Sequence, residues 1–171
     1  GEKIIDILLQ SGYRVVTRPH PETTRKSPKL IQKISDRFSA HEYFELDVDP
    51  TGDLWMRHTS LMISDWSGVA MEYAYGFEKP VLFIDLPRKI NNPRYSELEL
   101  EPIEISVRNE IGKFVHPKNI PELPTEITKL LSRDSELISK IHSSRAKHVF
   151  NQGKSASIGA NFIEEIMDRR S

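Results

Sequence analysis

Cysteine is absent from the 171 residues of this chain. That excludes disulfides and thiolate chemistry, and it suits a reducing compartment. An excess of one charge is lacking too: 24 Lys and Arg stand against 25 Asp and Glu, a formal net charge of -1 at pH 7. No overall basic field exists to attract nucleic acid, which is not expected as a partner. No apolar run approaches the roughly 20 residues that cross a bilayer, and no signal peptide pattern opens the sequence. The six histidines are scattered. None is paired at the spacing of a metal site such as H-E-x-x-H, so no structural zinc is expected. Internal repeats and low-complexity tracts are missing as well.

What remains is an ordinary globular composition, with 29% charged residues and a mean hydropathy of -0.47. The length suits one domain, here 1–171, with a substantial core. The first ten residues already form an amphipathic helix, apolar at Ile4, Ile5, Leu8 and Leu9. No strand leads into it, so the sequence reads as a piece of a longer protein.

Short apolar strands then alternate with helices. Ser11-Gly12 closes the first helix, and Tyr13–Thr17 reads as a strand ending in Arg18-Pro19-His20-Pro21. Pro28–Phe38 has helical spacing behind an N-terminal proline. Tyr43–Asp47 is a weaker strand, and Gly52–Thr59 a short helix. Leu61–Ile63 and Val81–Ile84 are strands on either side of Ser64-Asp65-Trp66-Ser67-Gly68 and a helix. Leu86–Pro102 is a polar stretch with three prolines, of the length that carries function in compact α/β domains. Ile103–Ile105 reads as a short strand, 119–131 and 134–150 as helices, and 157–169 as a final amphipathic helix. This alternation predicts an α/β fold with a Rossmann-like parallel sheet and helices on both faces. In such sheets ligands lie beyond the carboxyl ends of the strands, where both the RPHP and the SDWSG turns fall.

The SDWSG turn is the richest stretch. Its Ser and Asp side chains are expected to cap the amides at the helix start, and Gly68 lets a ligand approach the backbone. A helix N-terminus behind a parallel strand favours anions, through its dipole and its unpaired N–H groups. A phosphate-bearing ligand is therefore expected.

Taken together, these residues resemble a known family. Arg18-Pro19-His20-Pro21 resembles the R-x-H-P or K-P-H-P turn of the CDP-glycerol glycerophosphotransferases, which polymerise glycerol phosphate in teichoic acids and related surface polymers. Ser64–Gly68 with Glu72-Tyr73 resembles the family's T-D-Y-S-S motif and the acidic-Tyr pair that follows. Lys79-Pro80 and the strand after it resemble its K-P continuation. The likeness spans about residues 13–86. Two positions depart from the pattern: Gly68 replaces the second serine and Trp66 the tyrosine.

The resemblance implies one lobe of a two-lobed GT-B fold, the C-terminal lobe that binds the donor nucleotide. The acceptor lobe and this lobe's own first strand would lie elsewhere in the parent chain. It implies CDP-glycerol as donor, a polymer or lipid-linked hydroxyl as acceptor, no obligatory metal or other cofactor, and work at the cytoplasmic face of the cell membrane. His20 is the implied catalytic residue, beside the pyrophosphate, either protonating the leaving group or acting as base. Its plainer alternative is to cap or pack within the proline-flanked turn. Arg18 would clamp a phosphate, or else be a solvated strand-end arginine. Ser64, Ser67 and the amides of Ser67 and Gly68 would hold phosphate oxygens, and Asp65 would fix the turn through backbone amides. Glu72 would accept from ribose hydroxyls, unless it is simply a solvated helix charge.

Other features carry less. Gly153-Lys154-Ser155 mimics a P-loop end, but its first glycine position is His148 and a helix precedes it. His58, His142 and His148 fall on helix surfaces, and His116 is a weak cleft candidate. Arg88, Lys89 and Arg94 lie on the polar stretch near the cleft, and Trp55 and Trp66 read as packing residues. Two other functions remain open: a GT-B glycosyltransferase or UDP-N-acetylglucosamine 2-epimerase-like lobe, and a nucleotide-binding module without chemistry.

Overall fold

Strand and helix alternate in the computed structural model, which describes residues 1–49, 53–87, 94–98, 101–132 and 134–169. The elements run α1 (Glu2–Gln10), β1 (Val15–Thr17), α2 (Pro21–Lys26), α3 (Pro28–Phe38), β2 (Phe44–Leu46), α4 (Asp53–His58), β3 (Met62–Ser64) and α5 (Val69–Phe77). They continue with β4 (Val81–Ile84), α6 (Ile103–Ser106), α7 (Arg108–Ile111), β5 (Gly112–Val115), α8 (Leu123–Ser132), α9 (Asp134–His148) and α10 (Ser155–Asp168). Short 3₁₀ segments cover Tyr95–Leu98 and Pro117–Glu122.

Every ladder among the described residues is parallel. β1 pairs with β2, setting Val15 beside Phe44 and Thr17 beside Leu46. β4 lies between β3 and β5, setting Ser64 beside Phe83 and Ile84 beside Val115. The expected single sheet is thus two hydrogen-bonded pieces, β1-β2 and β3-β4-β5.

β4 shows why these residues make a central strand. Val81, Leu82, Phe83 and Ile84 are all buried, as in a strand covered on both faces. Alternation sends Val81 and Phe83 to one face, against Ala70, Tyr73 and Ala74 of α5, Ile111 of α7 and Ile141 of α9. Leu82 and Ile84 face the other way, onto Leu8 of α1 and Leu123, Ile127 and Leu130 of α8. The result is a Rossmann-like α/β arrangement of parallel strands between helical layers. A third cluster joins Ile5 and Leu9 of α1 to Ile34, Phe38 and Phe44.

Three details position the turn after β3. Gly112 lets β5 approach β4, because a Cβ there would collide with the Val81 carbonyl oxygen. Lys79 donates to the Met56 and Arg57 carbonyls, closing the C-terminus of α4. Tyr73 is fully buried and donates to the Thr59 carbonyl, tying α5 to the segment before β3.

One expectation is corrected here. Ile103–Ile105 is helical, not a strand. Pro102 stands at its N-cap, and Ile103, Val107 and Ile111 recur every four residues on the face that packs into the core. The polar residues after His20, which carry no hydrophobic period, form α2. Pro21 stands at its first position and Glu22 pairs with Arg25 and Lys26. Among the described residues no helix is long and apolar enough to cross a membrane.

Candidate functional site

β3 ends at Ser64 and α5 begins at Val69, so Asp65, Trp66, Ser67 and Gly68 make the whole connection. The N-cap is Gly68, in right-handed helical geometry, and no side chain caps the helix. The expected capping by Ser or Asp, including the role given to Asp65, is therefore corrected. The cap position falls on the one residue of the turn without a side chain, and Asp65 is exposed with no described backbone amide bonded to its carboxylate. The Ser67 carbonyl receives the Ala70 amide, and the Gly68 carbonyl receives those of Met71 and Glu72. No described residue accepts from the N–H groups of Ser67, Gly68 or Val69. Three amides at the positive end of the helix dipole stand open.

Trp66 holds the turn against the end of β4, its indole N–H donating to the Leu86 carbonyl at 2.7 Å. The indole ring also carries Arg108, whose guanidinium carbon lies 3.8 Å from the ring centre. Phe83 and Phe114 stack on one another and also flank the guanidinium, at 4.4 and 4.7 Å. Arg108 is only 4% exposed. Its Nη2 reaches the Asp65 carbonyl at a long 3.5 Å, and its Nε has no hydrogen-bond partner. Burial pushes its pKa down, while the charges of Asp85 and Asp65 oppose that fall. Arg108, Ser67, Gly68, Met71 and Ile105 line a cavity of about 280 Å³, with Asp65 and Glu104 also in its wall.

Among the residues singled out from sequence, the structure brings Asp65, Ser67 and Gly68 to this cavity. Ser64 sits half-buried one residue behind them at the end of β3. Glu72 is exposed on α5 and lines neither this cavity nor the groove described next. Arg18 lines a second groove of about 620 Å³ that runs between β1 and β3 past Thr17, Trp55, His58 and Leu61. Its Nη1 donates to Asp47 at 2.7 Å, and Asp47 is buried. His20 is the N-cap of α2: its Nδ1 accepts from the Glu22 amide at 3.1 Å. The ring is exposed at the end of β1, and no described contact joins it to the turn after β3.

The weaker candidates have local partners. Arg94 pairs with Glu97, His142 with Glu78, and His148 lies 3.8 Å from Glu110. His116 caps the segment Pro117–Glu122 by accepting from the Lys118 amide. Trp55 stacks with Arg14. Arg88 and Lys89 lie outside the described residues. Among the described residues no cluster of three or more His, Cys, Asp or Glu is placed to hold a metal ion.

Sequence reading missed Arg108. It lies one position off the series Ile103-Val107-Ile111, where a charged side chain is ordinarily exposed, so no local pattern announces its burial.

The chain is 30% identical over 83 residues to the minor teichoic acid biosynthesis protein GgaB of Bacillus subtilis (strain 168), a match covering 48% of this chain and 8% of that protein. The chain therefore spans a small part of the length of the curated relative it matches. No family model matches the chain, and no solved structure matches it.

Proposed function

We propose that this chain is the donor-binding lobe of a transferase that moves glycerol phosphate from CDP-glycerol to a hydroxyl acceptor during synthesis of a cell-surface polymer. The observation that carries this reading is the uncapped N-terminus of α5 at the carboxyl end of β3, open to a cavity. The similarity to a teichoic acid biosynthesis protein supports the same direction.

In this reading the amides of Ser67, Gly68 and Val69 and the Ser67 hydroxyl hold oxygens of the donor pyrophosphate. The Ser64 hydroxyl, one residue behind the turn, joins them on a phosphate oxygen. The acceptor oxygen forms a bond to the distal phosphorus, the bond from that phosphorus to the bridging oxygen breaks, and CMP leaves. The acceptor proton goes to a base and the charge left on CMP is neutralised. His20 suits the second task. Its Nδ1 already accepts a backbone N–H, so in the neutral ring Nε2 carries the N–H and can donate a hydrogen bond to a phosphate oxygen, spreading the charge that develops there. Arg18 meets a phosphate or the acceptor from the neighbouring groove, and Glu72 accepts from the ribose. A further lobe of the parent protein supplies the acceptor half of the cleft and the approach to the inner face of the membrane.

Calorimetric titration with CDP-glycerol, CMP, CDP, UDP and UDP-N-acetylglucosamine tests this. A preference for cytidine ligands that weakens in Ser67→Ala is the expected outcome. A preference for uridine ligands would replace the donor with a nucleotide sugar. Failure to bind any of the five would remove the turn as a nucleotide site.

A further inference from the structure

We propose that Arg108 forms the charged wall of an oxyanion site, and that a phosphate group seated on the α5 N-terminus supplies the acceptors the protein leaves out around this guanidinium. The inference deepens the phosphate reading of the turn and rests on it for the position of the anion; the argument for a ligand comes from Arg108 itself.

A buried charge is ordinarily paired and hydrogen-bonded. Arg108 is buried among rings instead. Trp66, Phe83 and Phe114 attract the face of the cation but accept nothing from its N–H edge. Nε has no acceptor, and Nη2 has one carbonyl at the outer limit of a hydrogen bond. Asp65 and Asp85 act on the charge without a side-chain hydrogen bond to it. The guanidinium is thus enclosed by rings, with its Nε unpaired.

The wall of the same cavity carries Ser67 and Gly68, whose amides are also unused donors. Arg108, Ser67 and Gly68 share this wall, and what their unused donors lack is an acceptor-rich anion. A phosphate oxygen accepts from a guanidinium edge and from helix amides alike. The carboxylates of Asp65 and Glu104 in the wall oppose any anion. They favour one that offers several oxygens to the donors over one that offers charge alone. A cavity of about 280 Å³ lies at the small end for ligand pockets. It suits the phosphate end of a larger molecule whose remainder lies outside.

A consequence separates this role from a structural one. An arginine kept for a ligand destabilises the empty protein, so its removal is tolerated or favourable. Methionine fills the same ring-lined space with a polarizable apolar chain. The test uses inorganic pyrophosphate with the whole chain, by calorimetry and thermal melting, against potassium chloride at matched ionic strength. The expected results are a melting temperature of empty Arg108→Met at or above that of the wild type, pyrophosphate affinity lowered about tenfold or more by loss of one charge-assisted contact, and no melting shift with pyrophosphate. Arg108→Lys keeps the charge but not the planar fork and binds severalfold more weakly than wild type. Glu104→Gln binds more tightly.

Wild-type protein that ignores pyrophosphate would overturn the proposal. So would Arg108→Met protein that binds it unchanged, or that melts lower with its affinity intact. Should Arg108→Met fail to fold, the lysine and glutamine variants decide: unchanged affinity in both rejects the site. A chain that binds pyrophosphate through Arg108 yet prefers uridine nucleotides would keep this site and lose the CDP-glycerol reading. Cytidine preference with equal affinity in wild type and Arg108→Met would do the reverse.

Discussion

Arg18 and Asp47 allow the fold and the site to be separated by measurement. The Asp47 side chain is 4% exposed and that of Arg18 31%. One Asp47 oxygen accepts from Arg18 at 2.7 Å, and the other accepts from the Asp49 amide at 2.9 Å. Replacing Arg18 by Met leaves a buried carboxylate without this charge-assisted partner. The cost is about 2 kcal/mol, below the figure for a fully buried pair because water still reaches the arginine side. Asp47→Asn keeps the bond to the Asp49 amide and lets the arginine return to solvent, at about 1.5 kcal/mol. The double variant removes both halves, and its loss should be near about 2 kcal/mol rather than the sum of about 3.5, a coupling of about 1.5 kcal/mol. Urea denaturation of the four proteins at pH 7, with equal slopes, measures this. Additivity of the two substitutions to within about 0.5 kcal/mol would refute the pairing and restore Arg18 as a side chain held for ligand alone.

Gly112→Ala should destabilise the protein by about 3 kcal/mol or more, since its Cβ collides with the backbone of β4 rather than with a side chain that can move; an unchanged urea midpoint would show that β5 sits elsewhere. Glu78 is held below the ordinary value of 4.5 by hydrogen bonds from His142 and then Arg145. Its stabilising contribution is complete above that value and is lost as the pH falls through the lowered one, so Glu78→Gln should lose less stability than wild type when acidified below pH 4.5, as followed by circular dichroism. Phe162 on α10 is 61% exposed and no residue of that helix is buried; Phe162→Glu should leave the melting temperature unchanged within about one degree.

Much of the fold was legible because its signals are local and repeated. Val81–Ile84 is apolar without interruption, and only a strand covered on both faces uses such a run so close to a helix with turn residues before it. The errors arose where two periods compete over a few residues. Ile103 and Ile105 alternate as a strand would, and only the longer view that includes Val107 and Ile111 shows the helical period. α2 has no buried residue at all, so no hydrophobic period could announce it. It stands on His20, Pro21 and ion pairs.

The site divides along the same line. The turn from Asp65 to Gly68 was legible because residue types with special backbone and capping properties sit side by side in the sequence. Which of them caps the helix was not, because a shift of one residue moves the cap from Ser67 to Gly68 and exchanges a hydroxyl for open amides. Arg108 lies 40 residues beyond the turn, and its meaning depends on three rings contributed by the turn, β4 and β5. No local pattern encodes that convergence; parallel pairing of β3, β4 and β5 creates it. The glycine that opens the helix end and the arginine whose Nε lacks an acceptor are two deviations from ordinary protein satisfaction, one in capping and one in buried charge. They share a cavity wall, and a single oxyanion would resolve both.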